Sequence, residues 1–196
     1  MIIEPLFYAM AIPSVILIGL SKGGLTGLGV LAVPLMAIVA SPMQAAAVLM
    51  PILLILDLVA VWTYRKSFDK ITLIITIPSS IIGIIIGAVL VSQVNPDWIR
   101  VIIGFIAISF TISHWRAAKD RGSRGHSIFR GTVWGSITGF TSFVTLTGAP
   151  PYQMYLLPLK LDQRTYAGTF MIFFWMNNIL KIIPFMMLGE MTRSTI

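Results

Sequence analysis

The sequence predicts an all-α polytopic membrane protein, and two observations support that fold class. Apolar residues make up 57% of the chain and charged residues only 11%, whereas soluble proteins carry roughly a quarter charged residues. Long runs are nearly free of charge, and about 20 apolar residues suffice to cross a bilayer as a helix. These runs are 5–21, 23–56, 71–96, 101–115, 131–159 and 165–180.

Charges and prolines mark where the predicted helices begin and end. We expect the first helix to be broken near 21–27 and the fifth near 147–151. The predicted helices span 5–39, 43–64, 70–93, 97–116, 131–158 and 164–188.

The two broken segments resemble each other, and Pro34 and Pro158, which follow them, lie 124 positions apart. A helix interrupted in hydrocarbon leaves backbone groups without partners, which costs several kcal/mol per group. Interruptions at corresponding positions of two repeats indicate a transporter's binding site. The segments read Ser21-Lys22-Gly23-Gly24-Leu25-Thr26-Gly27-Leu28-Gly29 and Thr145-Leu146-Thr147-Gly148-Ala149-Pro150-Pro151.

These similarities predict two repeats of about four transmembrane helices, each with a broken first helix. Residues 1–117 form the first repeat, 118–130 a basic cytoplasmic loop, and 131–196 the first half of a second repeat that we expect to be incomplete. Four crossings per repeat would make the repeats parallel. If the broken segment is instead a re-entrant hairpin, the repeats become inverted, and the sequence leaves both arrangements open.

The net charge of +7 reflects membrane topology rather than nucleic-acid binding. Basic residues concentrate in the loops 64–70 and 116–130, which the positive-inside rule places in the cytoplasm. An even number of crossings then predicts a cytoplasmic N-terminus. Lys160 and Arg164 break the pattern, because this topology places them outside. The N-terminus lacks the basic region of a cleaved signal peptide, so we expect a retained first helix.

Three ionisable residues lie well inside predicted spans, where charges are costly and usually functional or paired. Lys22 precedes Gly23 and Gly24, where free N–H groups of a new half-helix would attract an anion. Asp57 is expected to be a charge partner or coupling group, and Lys181 shares a helix face with Asn178.

At the second break, threonine hydroxyls and a glycine that permits close backbone approach complete the predicted site. The expected substrate-binding residues are Lys22, Gly23, Gly24, Thr26, Thr145, Thr147, Gly148, Asn178 and Lys181.

Structural alternatives accompany these roles. The glycines near residue 24 would also permit close helix packing, and Lys22 could extend its amine towards an interface. Asp57 could serve only to neutralise Lys22 or Lys181.

The sequence lacks the residues that several kinds of chemistry require. The chain has no cysteine and two histidines, and it contains no phosphate-binding loop of the Gly-x-x-x-x-Gly-Lys-Ser/Thr type. We therefore expect neither metal, cofactor nor nucleotide hydrolysis. The spans hold no Ser/His pair, metal-ligand cluster or paired acids, which disfavours an intramembrane enzyme. The lysines suit a secondary anion transporter coupled to a proton or another ion, and an anion channel is the alternative.

The combination of motifs resembles the TauE/SafE sulfite-exporter family, in the subgroup with a lysine before the glycines. This resemblance implies eight helices in two repeats, moving small sulfur-containing or organic anions across the bacterial inner membrane. The second motif commonly reads His-Ala-Gly-Gly-Pro-Pro, so this chain lacks that histidine. The matching residues are Gly19–Gly24, Leu31–Ala37, Asp57, Tyr64-Arg65, Gly139–Phe143, Gly148–Pro151, Tyr155–Pro158, Gly168-Thr169 and Asn178–Lys181.

Overall fold

The fold is known from a computed structural model that describes residues 5–22, 28–36, 38–40, 42–93, 125–146 and 148–188, with positions 98, 101, 105 and 108. These residues are largely helical, as the sequence predicts. The helices are α1 (Pro5–Lys22), α2 (Ala32–Met36), α3 (Pro42–Tyr64), α4 (Lys70–Gln93), α5 (Ile128–Thr145), α6 (Ala149–Leu156) and α7 (Gln163–Met187), with 3₁₀ turns at Leu28–Leu31 and Leu157–Leu159.

Two of the described helices, α4 and α7, are long and apolar enough to cross a bilayer. Shorter apolar helices span Pro5–Leu20 and Val48–Tyr64. The predicted fourth helix, 97–116, is described only at four helical positions, which lie three or four residues apart and are exposed. They are Trp98, Val101, Phe105 and Ile108.

The first broken segment folds back on itself. The Ser14 hydroxyl of α1 donates a hydrogen bond to the carbonyl of Ala32 in α2, over 3.1 Å. In a continuous helix these residues would be roughly 27 Å apart, at 1.5 Å per residue. The chain therefore enters and leaves this first hairpin at the same end. Residues 23–27, on which the predicted break falls, lie outside the described residues.

The second broken segment is also a hairpin. A β-carbon added to Gly131, in the first turn of α5, would lie 3.1 Å from the ring of Tyr155, in the last turn of α6. At the other end of α6, Gly148 approaches the carbonyl of Thr138 in the same way, at 3.0 Å. Helix α6 therefore runs back along α5, and this second hairpin returns to the end from which it started.

The interruption in the structure begins before the predicted break at 147–151. Leu146 has the left-handed conformation (φ 56°) and donates its N–H to Ser142, which ends α5. Helix α6 resumes at Ala149, so Pro150 and Pro151 lie in its first turn. Proline is tolerated there because the N–H groups of a first helical turn have no intrahelical partner.

The basic loop also ends earlier than the predicted boundary at residue 130. Helix α5 begins at Ile128, because the Ser127 side chain accepts a hydrogen bond from the Arg130 N–H and caps the helix.

Helices α4 and α5 run parallel and pack closely through small residues. A β-carbon on Gly139 would overlap the Ser80 carbonyl, and one on Gly83 would overlap the Ser136 carbonyl. Small residues let helix backbones approach closely in membrane bundles. This contact fixes the second hairpin against α4.

Helices α3 and α7 run antiparallel. Gly168, near the start of α7, lies against the Ser67 carbonyl just after α3, while Met50 and Phe185 share a core cluster further along both helices. The start of α7 therefore lies beside the loop between α3 and α4.

One end of the bundle gathers many of the described basic side chains, and we call it the basic end. His126 contacts Asp69 there, and the second hairpin opens there. Lys160 and Arg164 belong to this end, so their predicted place on the side opposite the basic loops is wrong. The described basic residues of this end are Arg65, Lys66, Lys70, Arg130, Lys160 and Arg164.

The first hairpin opens at the other end. Met36 of α2 shares a core cluster with Leu49 in the first half of α3, and Phe7 of α1 packs against that cluster. Since α3 has 23 residues and is roughly 34 Å long, its start and Tyr64 lie at opposite ends. The described start of α1 therefore lies away from the basic loops, in contrast to the expected shared side. Residues 1–4 lie outside the described residues, and the side on which the N-terminus lies stays a prediction.

Candidate functional site

A cluster of buried polar side chains lies where the tip of the second hairpin meets α3 and α7, and we call it the tip cluster. Its members are at most 3% exposed. Such burial of polar and charged groups is costly unless each is hydrogen-bonded or paired. The tip cluster consists of Asp57, Ser142, Asn177, Asn178 and Lys181.

Lys181 binds the end of the broken helix. Its Nζ donates to the Ser142 carbonyl over 3.1 Å and to the Ser142 Oγ over 2.9 Å. The same carbonyl accepts the Leu146 N–H. The last carbonyls of a helix lack intrahelical partners and carry the negative end of its dipole. The Lys181 ammonium therefore stabilises the C-terminal end of α5 inside the bundle.

Two adjacent asparagines of α7 connect the remaining members. Asn178 Nδ2 donates to the Asp57 carboxylate, and Asn177 Nδ2 donates to Ser142 Oγ over 2.8 Å. Asn177 Oδ1 is buried and accepts no hydrogen bond within the described structure. The cluster therefore ties α3, α5 and α7 together and retains one open acceptor.

The tip cluster holds one carboxylate and one ammonium, both fully buried. Removing either partner of a buried charge pair is strongly destabilising, because the other charge is left without compensation. Asp57 and Lys181 are the two charged members of the tip cluster, so we expect the loss of either one to lower stability.

The structure brings together several residues that the sequence singled out. Asn178, Lys181 and Asp57 belong to the tip cluster. Thr145 is buried in the last turn of α5, where its hydroxyl donates to the Thr141 carbonyl over 2.9 Å. Gly148 is buried, and a β-carbon there would lie 2.6 Å from the Ser142 Cβ, which agrees with the close approach predicted for this glycine.

The other predicted site residues fall outside the described part of the chain. Lys22 ends α1, but its side chain is not among those described. The same holds for Gly23, Gly24, Thr26 and Thr147, so their expected roles stay predictions.

The second hairpin reaches the first. Leu146, at the tip of the second hairpin, packs against the core cluster of Met50, Phe143 and Phe185. It also packs against the cluster that contains Ile18 of α1 and Ala32 of α2. This contact brings the second interruption to the described flanks of the first.

Sequence reasoning missed Ser142 and gave Asn177 no role in the site. Ser142 lies four residues before the break, so its carbonyl belongs to the last turn of α5, where the negative end of the helix dipole attracts a cation. The sequence identifies Ser142 as a last-turn residue only when the end of α5 is known. Asn177 lies four residues before Lys181 and shares its helix face, but its hydrogen bond to Ser142 depends on tertiary packing.

A second polar cluster lies at the basic end. The Asp69 carboxylate accepts the Thr72 N–H over 2.7 Å and contacts His126 Nε2 at 2.9 Å. The Asp69 N–H donates to Thr169 Oγ1 of α7 over 2.8 Å. Partial burial raises the pKa of the Asp69 carboxyl, but the hydrogen bonds with Thr72 and His126 outweigh it and hold the pKa below its usual value. This cluster joins both loops to α7.

Among the described residues, no group of three or more histidine, aspartate or glutamate side chains could hold a metal ion.

Comparison with known proteins gives one match. A sequence model of a family described as Sulfite exporter TauE/SafE matches residues 11–196. Neither the curated proteins nor the solved structures contain a match.

Proposed function

The chain belongs to the sulfite exporter TauE/SafE family, and on this premise we propose that it is a secondary transporter of small anions in the bacterial inner membrane. The family is one of membrane transporters of sulfur-containing anions. The substrate we propose is sulfite, a sulfonate or a related sulfur-containing or organic anion.

The observation that carries this proposal is the interrupted helix end buried beside charged residues. The C-terminal end of α5 lies inside the bundle and is held by Lys181. Charges and broken helices within a membrane are costly and mark substrate or ion pathways. A purely structural bundle would have no need of either.

We assign anion binding to the two interruptions together. Lys22 supplies a cation beside the half-helix that follows Gly23 and Gly24, and Thr26 adds a hydroxyl. The free N–H groups and the lysine charge replace part of the anion's hydration. From the second hairpin we assign Thr145, Thr147 and Gly148 to the same anion site, and from α7 we assign Asn178 and Lys181.

The hairpins favour inverted repeats over parallel ones. Asp57 and Lys181 are 124 positions apart, like Pro34 and Pro158, and they meet in one cluster. Their helices, α3 and α7, run antiparallel. A pseudo-two-fold axis in the membrane plane would relate the two units and pass near the tip cluster, so that one unit rocks against the other during transport.

We infer the orientation of the chain in the membrane from the same geometry. The positive-inside rule places the basic end in the cytoplasm, so the first hairpin opens to the outside and the second to the cytoplasm. A cysteine introduced at the N-terminus or at Lys160 can be labelled with a membrane-impermeant reagent, and this labelling tests the topology. Labelling of an N-terminal cysteine from outside, with Lys160→Cys protected, is expected.

Reconstitution of the full-length protein tests the function. Proteoliposomes loaded with labelled sulfite, sulfoacetate or another sulfonate should show counterflow, since a carrier exchanges substrate tightly and a channel does not. Lys22→Ala should reduce this flux more than Lys22→Arg, because the site needs a cation. Wild-type flux in Lys22→Ala would refute the binding role of that lysine, and flux without counterflow would favour the channel.

A further inference from the structure

The place where Lys181 binds has the chemistry of a cation site. In transporters built from interrupted helices, carbonyls at the C-terminal ends of half-helices coordinate the coupling ion. Here the C-terminal end of α5 offers the Ser142 carbonyl and hydroxyl to the Lys181 Nζ, at 3.1 and 2.9 Å. The ammonium thus occupies the position that a coupling sodium ion would take.

We propose that Lys181 is the resident cation of this transporter, so that its driving ion is a proton carried on Lys181 Nζ rather than sodium. This inference rests on the proposed anion transport, because it names the coupling partner of the same site.

A second, independent observation points to a cation at this position. Asn177 Oδ1 is fully buried beside Ser142 and accepts no hydrogen bond within the described structure. An open, buried oxygen favours a positively charged group or a donor near it. Together with the two Ser142 oxygens and the Asp57 carboxylate, this oxygen makes the tip cluster rich in hydrogen-bond acceptors.

Among the residues that the structure describes, few other charges face Lys181. Helices α3, α4, α5 and α6 border α7 directly or through the tip cluster, and among their described residues Asp57 is the ionisable group that belongs to the cluster. Tyr152 of α6 stacks on Phe173, eight residues before Lys181 along α7. The basic side chains Lys70 of α4 and Arg130 of α5 lie at the basic end. Asp57 is therefore the charge that a change of protonation at Lys181 leaves behind.

The proton step follows from this charge balance. With Lys181 protonated, the ammonium offsets Asp57 and the charge on Lys22 attracts the anion. When the site opens to one side, the anion leaves and the proton passes from Nζ to water. Anion and proton therefore move together, and a monovalent anion with one proton carries no net charge across the membrane.

Transport driven by different gradients tests the coupling. In proteoliposomes, a pH gradient should drive wild-type accumulation of labelled sulfonate on the alkaline side, and a sodium gradient should drive none. In Lys181→Arg the ratio of pH-driven accumulation to counterflow, both measured on the same variant, should fall by about tenfold or more, because arginine does not release its proton. Lys160→Arg, at an exposed position, is the matched control and should behave as wild type. Sodium-driven accumulation in the wild type, or full pH-driven accumulation in Lys181→Arg, would overturn the proposal.

Thermal unfolding in detergent gives a readout that does not depend on transport. Replacing potassium by sodium should leave the melting temperature of the wild type unchanged. In Lys181→Ala the vacated oxygens should bind sodium and raise the melting temperature, and Asp57→Asn with Lys181→Ala serves if the single variant does not fold. Sodium stabilisation of the wild type, or its absence in the folded variants, contradicts the resident cation. If neither the wild type nor the variants transport any anion, the proposed function fails. The comparison of melting temperatures in sodium and potassium still decides the role of Lys181.

Discussion

Two aspartates contact α7 in similar ways at different depths. Asp57 accepts a hydrogen bond from Asn178 in the tip cluster, and Asp69 donates its N–H to Thr169 at the basic end. Each lies in a cluster that also holds a basic side chain, Lys181 or His126. Asp57 is fully buried, whereas the Asp69 side chain is 19% exposed.

The difference in burial changes how much each cluster contributes to stability. Near the surface, water screens an ion pair, and its contribution is typically about 0–1 kcal/mol. In the interior, two charges lose several kcal/mol of hydration each, and their attraction must offset that loss. A link between α7 and its neighbours is already supplied at the basic end, so the buried charges of the tip cluster point to a function beyond holding helices together.

The largest expected effect tests the buried member of this comparison. Asp57→Ala should lower the free energy of unfolding by about 3–5 kcal/mol, since it leaves the Lys181 ammonium buried without compensation. Unfolding in detergent, followed by circular dichroism, measures it. Asp57→Asn combined with Lys181→Met should recover most of the stability but no pH-driven anion flux. Wild-type stability in Asp57→Ala would mean that the two charges are not coupled.

Disrupting the close contact between α7 and the α3–α4 loop should lower stability more than removing the ion pair of Asp69 and His126 beside it. Gly168→Ala places a β-carbon on the Ser67 carbonyl and should cost about 1–3 kcal/mol, as overpacking commonly does. Gly19→Ala is the matched helical control, because nothing lies within 4 Å of a β-carbon there. Equal melting temperatures for the two variants would show that α7 can shift freely at the basic end.

A smaller effect is expected where Thr169 meets Asp69. Thr169→Val removes the acceptor of the Asp69 N–H and should cost about 1 kcal/mol, the usual net contribution of a hydrogen bond. Thr63→Val, whose exposed hydroxyl bonds only within its own helix, should change stability less. The comparison fails if Thr169→Val costs as much as Asp57→Ala.

The smallest effect concerns the Asp69 carboxylate itself. Because its pKa is lowered on folding, its stabilisation is present above the unfolded value of about 3.9 and is lost as pH falls through the folded pKa. Asp69→Asn should therefore cost no more than about 1 kcal/mol near neutral pH, and the difference from wild type should vanish at strongly acidic pH. Melting temperatures measured across this range test the sign, and a difference that grows on acidification would contradict it.

The elements of the fold that sequence predicted well are those bounded by charge. Helix α4 was expected at 70–93 and is found at Lys70–Gln93, because Lys70 precedes an apolar run that Asn95 and Asp97 follow. Asp57 and Lys181 could be singled out as candidate site residues for a related reason, since a charge inside an apolar run is rare. Ser142 carried no such signal, because a hydroxyl in a helix is common.

The sequence by itself determined that the chain is helical and apolar, because composition reports local preference. From glycine–proline spacing it also predicted interruptions at two related places. It left open whether the interrupted segments cross the membrane, because a broken crossing helix and a re-entrant hairpin have the same composition. Only tertiary contacts distinguish the two, and the contacts of Ser14 with Ala32 and of Gly131 with Tyr155 bring the flanks of each segment together as in a hairpin. Those contacts join residues far apart along any continuous helix, and they depend on how the two flanks pack, which no local pattern specifies.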